Sequence, residues 1–201
     1  PLAIVDQSIC VACLTCVRAC TYGAAAIDSD AVGVGGIMGA ARVDADVCSG
    51  CGLCAAACPT GAISMTLFAD GDVLSEVEAV FSPDRFAAAG AKGRPLDEPW
   101  IVTFCCPHSA DSVDAYSGYD GDGAKVGLDV IKMPCTGRID NLHLMRTFED
   151  GADGVIVSGC EPGRCYHSTG NLNAAKRTDR ARRWLDDVGM GADRVRMVHL
   201  P

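Results

Sequence analysis

Apolar and polar positions along this chain change rhythm twice. Over residues 1–70 the chain repeats itself. Asp6-Gln7-Ser8-Ile9 is matched by Asp44-Ala45-Asp46-Val47, and Gly23-Ala24-Ala25-Ala26-Ile27 by Gly61-Ala62-Ile63. Each half predicts a short strand, a loop, one helical turn and a second strand. Between residues 71 and 99, Leu74, Val77, Val80 and Phe81 recur at helical intervals. Ser75 and Glu78 have the spacing of a capping box, which predicts a helix over 75–81 that can extend through Phe86. Gly90, Gly93, Pro95 and Pro99 then mark a connector. After Trp100 short apolar runs at 101–105, 127–133, 154–158 and 195–200 alternate with helical patterns at about 109–116, 138–150 and 171–188. The last two patterns are amphipathic: Ile139, Leu142, Leu144, Met145 and Phe148 in one, Leu172, Ala175, Ala181, Trp184, Leu185 and Val188 in the other. Strand and helix in strict alternation predict a parallel sheet with right-handed crossovers.

The expected architecture is therefore an α+β domain over 1–70, a helix and linker over 71–99, and an α/β domain with a small parallel sheet over 100–201.

The loops of the repeat carry the chemistry. Cys10, Cys13, Cys16 and Cys20 form one C-x2-C-x2-C-x3-C run; Cys48, Cys51, Cys54 and Cys58, followed by Pro59, form a second. This is the spacing that holds 4Fe–4S clusters in bacterial-type ferredoxins, where the fourth cysteine of each run ligates the other cluster. Carried over, cluster one takes Cys10, Cys13, Cys16 and Cys58, and cluster two takes Cys48, Cys51, Cys54 and Cys20. A domain this small builds little apolar core, so the crossed ligands also staple its halves together. Thr21 stands where the second run has its proline, which weakens the helix stop without removing a ligand. Disulfides would need an oxidising compartment, and zinc favours paired C-x2-C units set far apart.

The formal charge of −9 argues against nucleic acid as a partner. It is uneven: residues 1–70 hold Arg18 and Arg42 against six acidic side chains, whereas the segment from Asn171 onward holds seven basic against four acidic. That basic helix reads first as a solvated face and second as a docking surface for an acidic partner protein. No signal peptide and no apolar 18-residue span is visible, so a cytoplasmic protein without direct membrane insertion is expected. A start at Pro1 suggests a piece of a longer chain, with a flavin domain upstream.

Five cysteines remain: Cys105, Cys106, Cys135, Cys160 and Cys165. All fall at or just beyond the C-terminal ends of predicted strands, the rim where open parallel sheets bind ligands. Helix N-termini expected at Gly137 and near Asn171 would favour an anionic thiolate site there. Five thiols on one rim fit one 2Fe–2S cluster with four ligands and one spare; buried core thiols are the plain alternative.

Phe104-Cys105-Cys106, Met133-Pro134-Cys135-Thr136-Gly137-Arg138-Ile139-Asp140, Glu149-Asp150-Gly151-Ala152-Asp153-Gly154-Val155, and Gly159-Cys160-Glu161-Pro162-Gly163-Arg164-Cys165-Tyr166-His167 with Gly170-Asn171 resemble the delta subunit of methyl-viologen-reducing hydrogenase. The resemblance spans about residues 100–200. Similar domains follow a two-cluster ferredoxin segment in heterodisulfide reductases and in related flavoproteins of sulfate reducers, the order found here. The resemblance implies a 2Fe–2S cluster that passes electrons between partner redox subunits. The family often reads C-C-x-x-C in its first motif, and Ser109 stands where its third cysteine would be. The implied ligands are then Cys106, Cys135, Cys160 and Cys165, with Cys105 competing with Cys106.

Other signals are weaker. Gly33-Val34-Gly35-Gly36-Ile37-Met38-Gly39 reads as a turn and not a nucleotide loop. Asp120-Gly121-Asp122-Gly123 lacks the remaining oxygen ligands of a calcium loop. His108 and His167 follow Cys106 and Cys165 by two and read by default as surface or capping residues, with ligation the alternative. No nucleophile–base pair stands out.

The expected function is an electron-transfer component or fragment in an oxidoreductase complex, with flavoprotein, heterodisulfide reductase-like or hydrogenase-like partners and no substrate site of its own. The alternatives are a diffusible ferredoxin with a cluster-free docking domain, and a thiol–disulfide redox enzyme.

Overall fold

The computed structural model describes residues 1–88, 98–108 and 127–200. The N-terminal domain is the predicted repeat. β1 (Ala3–Val5), α1 (Thr15–Ala19) and β2 (Ala25–Val32) make the first half, and β3 (Met38–Val43), α2 (Leu53–Ala57) and β4 (Ile63–Met65) the second. The strands pair across the repeat, antiparallel: β1 on β4 with Ile4 opposite Ser64, and β2 on β3 with Ile27 opposite Ala41. Each pairing thus joins one half to the other. The core between them is thin, built from Ala3, Ala25, Ala40, Ala41, Ala62, Ile63 and Met65, and it runs directly into Cys10, Cys16 and Cys54. Gly33 to Gly39 forms a hairpin turn, with Val34 N–H bonded to Cys10 O at 3.0 Å.

α3 (Asp70–Val80) begins earlier than the helix predicted over 75–81. The capping group is not Ser75. The Asp72 carboxylate accepts from the Ala69 N–H at 3.0 Å, and Asp70 and Asp72 place negative charge at the helix N-terminus. Ser75 and Glu78 lie inside the helix, away from its buried stripe. Val73, Val77 and Val80 pack into the core of the second domain. α4 (Pro83–Ala88) is a separate short helix opened by Pro83. It is pinned by Arg85, whose two guanidinium nitrogens donate to Asp129 at 2.9 and 2.7 Å.

The second domain is a parallel sheet of four strands in the order β6-β5-β7-β8: β5 (Trp100–Cys105), β6 (Gly127–Lys132), β7 (Gly154–Cys160) and β8 (Val195–Leu200). The central strands β5 and β7 are the most apolar, as burial on both sides requires. Val102, Phe104, Val155 and Val157 are fully buried in one core with α3, α5 (Asn141–Glu149) and α6 (Gly170–Asp187).

Two details differ from expectation. The helix predicted over 138–150 is divided. Thr136–Arg138 form a single 3-10 turn, Ile139 leaves it, and Asp140 caps α5 by accepting from Leu142 N–H at 2.9 Å. In α6 the buried stripe is Gly170, Asn171, Ala174, Thr178, Ala181 and Leu185, whereas Leu172, Trp184 and Val188 are exposed. Small residues let α6 approach the 136–138 turn closely: a Cβ on Gly137 would lie 2.8 Å from Gly170 Cα.

The helix expected at 109–116, Ser109, the 120–123 turn and the Gly90, Gly93 and Pro95 connector lie outside the described residues. Among the described residues, no helix is long and apolar enough to cross a membrane.

Candidate metal centres

The two cysteine runs wrap two separate hollows. One is lined by Cys10, Cys13, Cys16 and Cys58 together with Ala12, Leu14, Ile27, Ala41 and Ile63. The other is lined by Cys20, Cys48, Cys51 and Cys54 with Tyr22, Ala24 and Leu53. The fourth cysteine of each run therefore lies on the wall of the other run's hollow. α1 and α2 cause this. Each begins beside the third cysteine of its run and delivers the fourth at its far end, as the C-cap.

The loops of the two halves use the same backbone with different residues. Gly50 (φ +70°) and Gly52 (φ +76°) occupy left-handed conformations in the second loop; Ala12 (φ +50°) and Leu14 (φ +64°) do so in the first. In the second loop glycine is demanded by space as well as by φ. A Cβ on Gly50 would lie 2.2 Å from Pro1 O, and one on Gly52 would lie 2.5 Å from Arg138 Cδ.

The sulfurs sit among few polar groups. Ala41 N–H donates to Cys10 Sγ at 3.3 Å, and Cys13 Sγ lies 3.3 Å from Thr15 Oγ1. Thr15 holds the exposed Cys13 thiol below its ordinary range. Burial pushes Cys16 and Cys51 up, and pushes Cys54 up to about 12. A thiolate in such a pocket is costly unless cationic metal stands beside it, which is the condition a cluster meets. Among the described residues no three Cys, His, Asp or Glu side chains gather around one point as a single metal ion requires. Thiols spread around a hollow suit a polynuclear cluster, which holds each ligand at a different corner.

The remaining thiols lie on the carboxyl rim of the parallel sheet. Side chains alternate faces along β5, and the two adjacent cysteines at its end go different ways. Cys105 is fully buried and packs against Val130 and Leu200. Cys106 turns to Cys160, Sγ to Sγ 3.8 Å. Cys135 and Cys165 meet over the start of α6: a Cβ on Gly170 would lie 2.3 Å from Cys135 Sγ and 3.3 Å from Cys165 Sγ. Cys106 thus pairs with Cys160 and Cys135 with Cys165, while Cys105 packs into the apolar contact with Val130 and Leu200.

The support around these four is hydrogen-bonded. Gly137 N–H donates to Cys135 Sγ at 3.4 Å. Asn171 Nδ2 donates to Cys160 O and Glu161 O, both at 2.9 Å, and His199 Nδ1 donates to Cys160 O at 2.9 Å. Burial pushes the Cys135 thiol far up. Burial and the neighbouring Cys106 push Cys160 up to about 11. The chemistry of the donor set again matches a group carrying positive charge.

At the junction of the domains, residues to which sequence reasoning gave no role, Asp70, Arg138, His143 and Arg177, stand beside Cys51, Cys135 and His167, which it had named. Cys51 and Cys135 are close enough for each thiolate to raise the other's cost. Arg138, 1% exposed, lies against Gly52 and donates from Nε to Phe68 O at 3.0 Å and from Nη2 to Asp70 at 2.7 Å. His143 Nδ1 accepts from Asp140 N–H, so its Nε2 carries the proton and donates to Asp70 at 2.9 Å. These partners hold the Asp70 carboxyl well below the usual carboxylate range, His143 contributing most. Arg177 Nη1 donates to Gly137 O and Ile139 O, fastening α6 to the turn. His167 is buried and bonded to Tyr22 at 2.7 Å, which corrects its default reading as a surface or capping residue.

Two families of known proteins match separate stretches of the chain. The family described as methyl-viologen-reducing hydrogenase, delta subunit, matches residues 101–201, and the family described as 4Fe-4S dicluster domain matches residues 9–62. The vhu iron-sulfur subunit of the F420-non-reducing hydrogenase of Methanocaldococcus jannaschii is 35% identical over 103 residues, 51% of this chain and 77% of that protein. The iron-sulfur subunit of the F420-non-reducing hydrogenase of Archaeoglobus profundus is 37% identical over 100 residues, 50% of this chain and 73% of that protein. A component of the ferredoxin:CoB-CoM heterodisulfide reductase of Methanosarcina mazei is 34% identical over 197 residues; that match spans 98% of this chain and 22% of the relative.

Proposed function

Because the chain belongs to the methyl-viologen-reducing hydrogenase delta-subunit family and carries a 4Fe–4S dicluster domain ahead of it, we propose that it relays electrons one at a time between partner subunits of a larger oxidoreductase. The partners are redox proteins of the hydrogenase, heterodisulfide reductase or flavoprotein kind, in keeping with the relatives' names. The chain itself binds no substrate. Cys10, Cys13, Cys16 and Cys58 hold one 4Fe–4S cluster, and Cys20, Cys48, Cys51 and Cys54 the other. Cys106, Cys135, Cys160 and Cys165 hold a 2Fe–2S cluster. The clusters supply reversible one-electron chemistry; the protein supplies thiolates, amide hydrogen bonds to sulfur and a dry setting. Twelve thiolates given to clusters and the spare Cys105 thiol call for a reducing compartment such as the cytoplasm.

The observation that supports this reading is that each N-terminal hollow is lined by three cysteines of one run and the fourth of the other, while on the sheet rim Cys106 meets Cys160 and Cys135 meets Cys165. Iron analysis of anaerobically prepared protein tests it. About ten irons per chain, with both cluster types seen by electron paramagnetic resonance (EPR) on reduction, is the expected result. Zinc in place of iron would overturn it, and eight irons with no 2Fe–2S signal would restrict it to the N-terminal domain.

A further inference from the structure

Arg177 stands two turns beyond Gly170 on α6, so the two share one face of the helix. That face meets the turn after Cys135. Arg177 Nη1 donates to Gly137 O at 2.7 Å and to Ile139 O at 3.0 Å, while Gly137 N–H donates to Cys135 Sγ at 3.4 Å. One residue therefore separates the guanidinium from the sulfur, a reach of about 10 Å at most. At the other end of the same face, Gly170 lies against Cys135 Sγ and Cys165 Sγ.

What Arg177 lacks is an anion. Among the described residues both of its hydrogen-bond acceptors are carbonyls and it enters no ion pair, whereas Arg138 beside it is paired with Asp70. Burial makes the Arg177 charge costly and holds it below the ordinary arginine range; Asp140 and a Cys135 thiolate offset that cost, and Arg138 and Arg180 add to it. The Asp140 carboxylate is turned to the α5 cap, where it accepts from Leu142 N–H. A charge taken from water without a counter-ion is unfavourable, and fastening a turn does not require one, since a neutral amide also donates to carbonyls. The rim thiols have the opposite need. Burial opposes a Cys135 thiolate, so positive charge nearby favours it, and favours an added electron still more.

Resting on the function proposed above, we infer that Arg177 is the counter-charge of the rim thiolates and biases the transferred electron toward the site held by Cys106, Cys135, Cys160 and Cys165. The step is a one-electron reduction. A partner redox subunit loses one electron and iron at the rim gains it; no covalent bond forms or breaks and no proton moves. The N-terminus of α6 adds to the same field. Arg177 is a positioning residue, not a ligand.

Arg177→Gln keeps an N–H donor for the two carbonyls and removes the charge, whereas Arg177→Lys keeps the charge. The experiment uses the full chain with its iron in place. Redox titration followed by EPR gives the equilibrium constant for electron exchange between the 2Fe–2S site and the 4Fe–4S cluster held by Cys10, Cys13, Cys16 and Cys58. In Arg177→Gln this constant should move against the 2Fe–2S site by roughly tenfold, the effect of one unit charge at that reach in protein surroundings. Iron content stays unchanged, and Arg177→Lys restores the native constant. An unchanged constant in Arg177→Gln overturns the inference. So does an equal shift in both variants, because hydrogen bonding and not charge would then be responsible. If Arg177→Gln does not fold or loses its 2Fe–2S signal, Arg177→Lys decides: the native constant supports the inference, and a lost signal or a shifted constant overturns it. Absence of a 2Fe–2S signal in the unsubstituted protein would instead mark failure of the underlying function, before any variant is made.

Discussion

Asp70 and Arg138 are joined at 2.7 Å across the boundary between the dicluster domain and the α/β domain, and only Asp70 reaches water: its side chain is 57% exposed and that of Arg138 is 2%. Asp70→Asn would leave a buried guanidinium without its anion. Breaking a fully buried pair costs about 3–5 kcal/mol; with one partner in solvent, a loss of about 1–2 kcal/mol is expected. Denaturant unfolding of the iron-loaded protein measures it.

The same pair sets a pH dependence. The Asp70 carboxyl is held below its ordinary range in the folded protein, so its contribution is fully present above the unfolded carboxylate value of about 4 and is lost as pH falls below it. The stability gap between the native protein and Asp70→Asn should therefore be constant from about pH 5 to 8 and close as pH drops under about 4. A gap that instead grows on acidification would contradict this ion pairing.

The crossed geometry of the hollows makes the effect of ligand loss non-local. Cys58→Ser should abolish the signal of the cluster held by Cys10, Cys13 and Cys16, and Cys20→Ser that of the cluster held by Cys48, Cys51 and Cys54. Loss of one cluster lowers iron by about four per chain. EPR of each reduced variant shows which signal survives; loss of the signal from the variant's own run would favour uncrossed ligation.

On the sheet rim the two adjacent cysteines should behave differently. Cys106→Ser removes the 2Fe–2S signal and about two irons. Cys105→Ala, packed against Val130 and Leu200, keeps all iron and costs about 1 kcal/mol of stability through lost apolar burial. Iron analysis beside a melting curve separates the two outcomes, and the reverse pattern would reassign the ligand.

Gly170→Ala should act like the loss of a ligand although it carries none, because its methyl would occupy the space of Cys135 Sγ and crowd Cys165 Sγ. The 2Fe–2S signal disappears while both 4Fe–4S signals persist. Retention of the 2Fe–2S absorption would show that the two thiols can move apart.

Much of this was legible in the sequence because its signals are local. Cysteine spacing names the cluster type, and the strands at 127 and 195 begin where their apolar runs begin. What stayed hidden depends on partners distant in sequence. The start of α3 was obscured because Ala69, a residue with no capping side chain, stands at its N-cap while Asp72 reaches back to it. Arg138 broke the predicted helix because its side chain is drawn to Phe68 and Asp70, a pull that no helical periodicity records. The exposed Trp184 misled in the other direction. Apolar residues at helical spacing do not reveal which face a close-packed turn will select, and here small residues decided it. Tyr22 and His167 carry no mutual signal in a single chain.

The two cluster loops have unequal freedom to change. The first could accept glycine at Ala12 and Leu14 with relief of left-handed strain, whereas the second cannot accept alanine or leucine at Gly50 and Gly52, where Pro1 and Arg138 already occupy the space. A duplicated half that began symmetric thus becomes interchangeable in one direction only. Glycine can enter the first loop, but a side chain cannot enter the second, once Pro1 of the same domain has closed over Gly50 and Arg138 of the neighbouring one over Gly52.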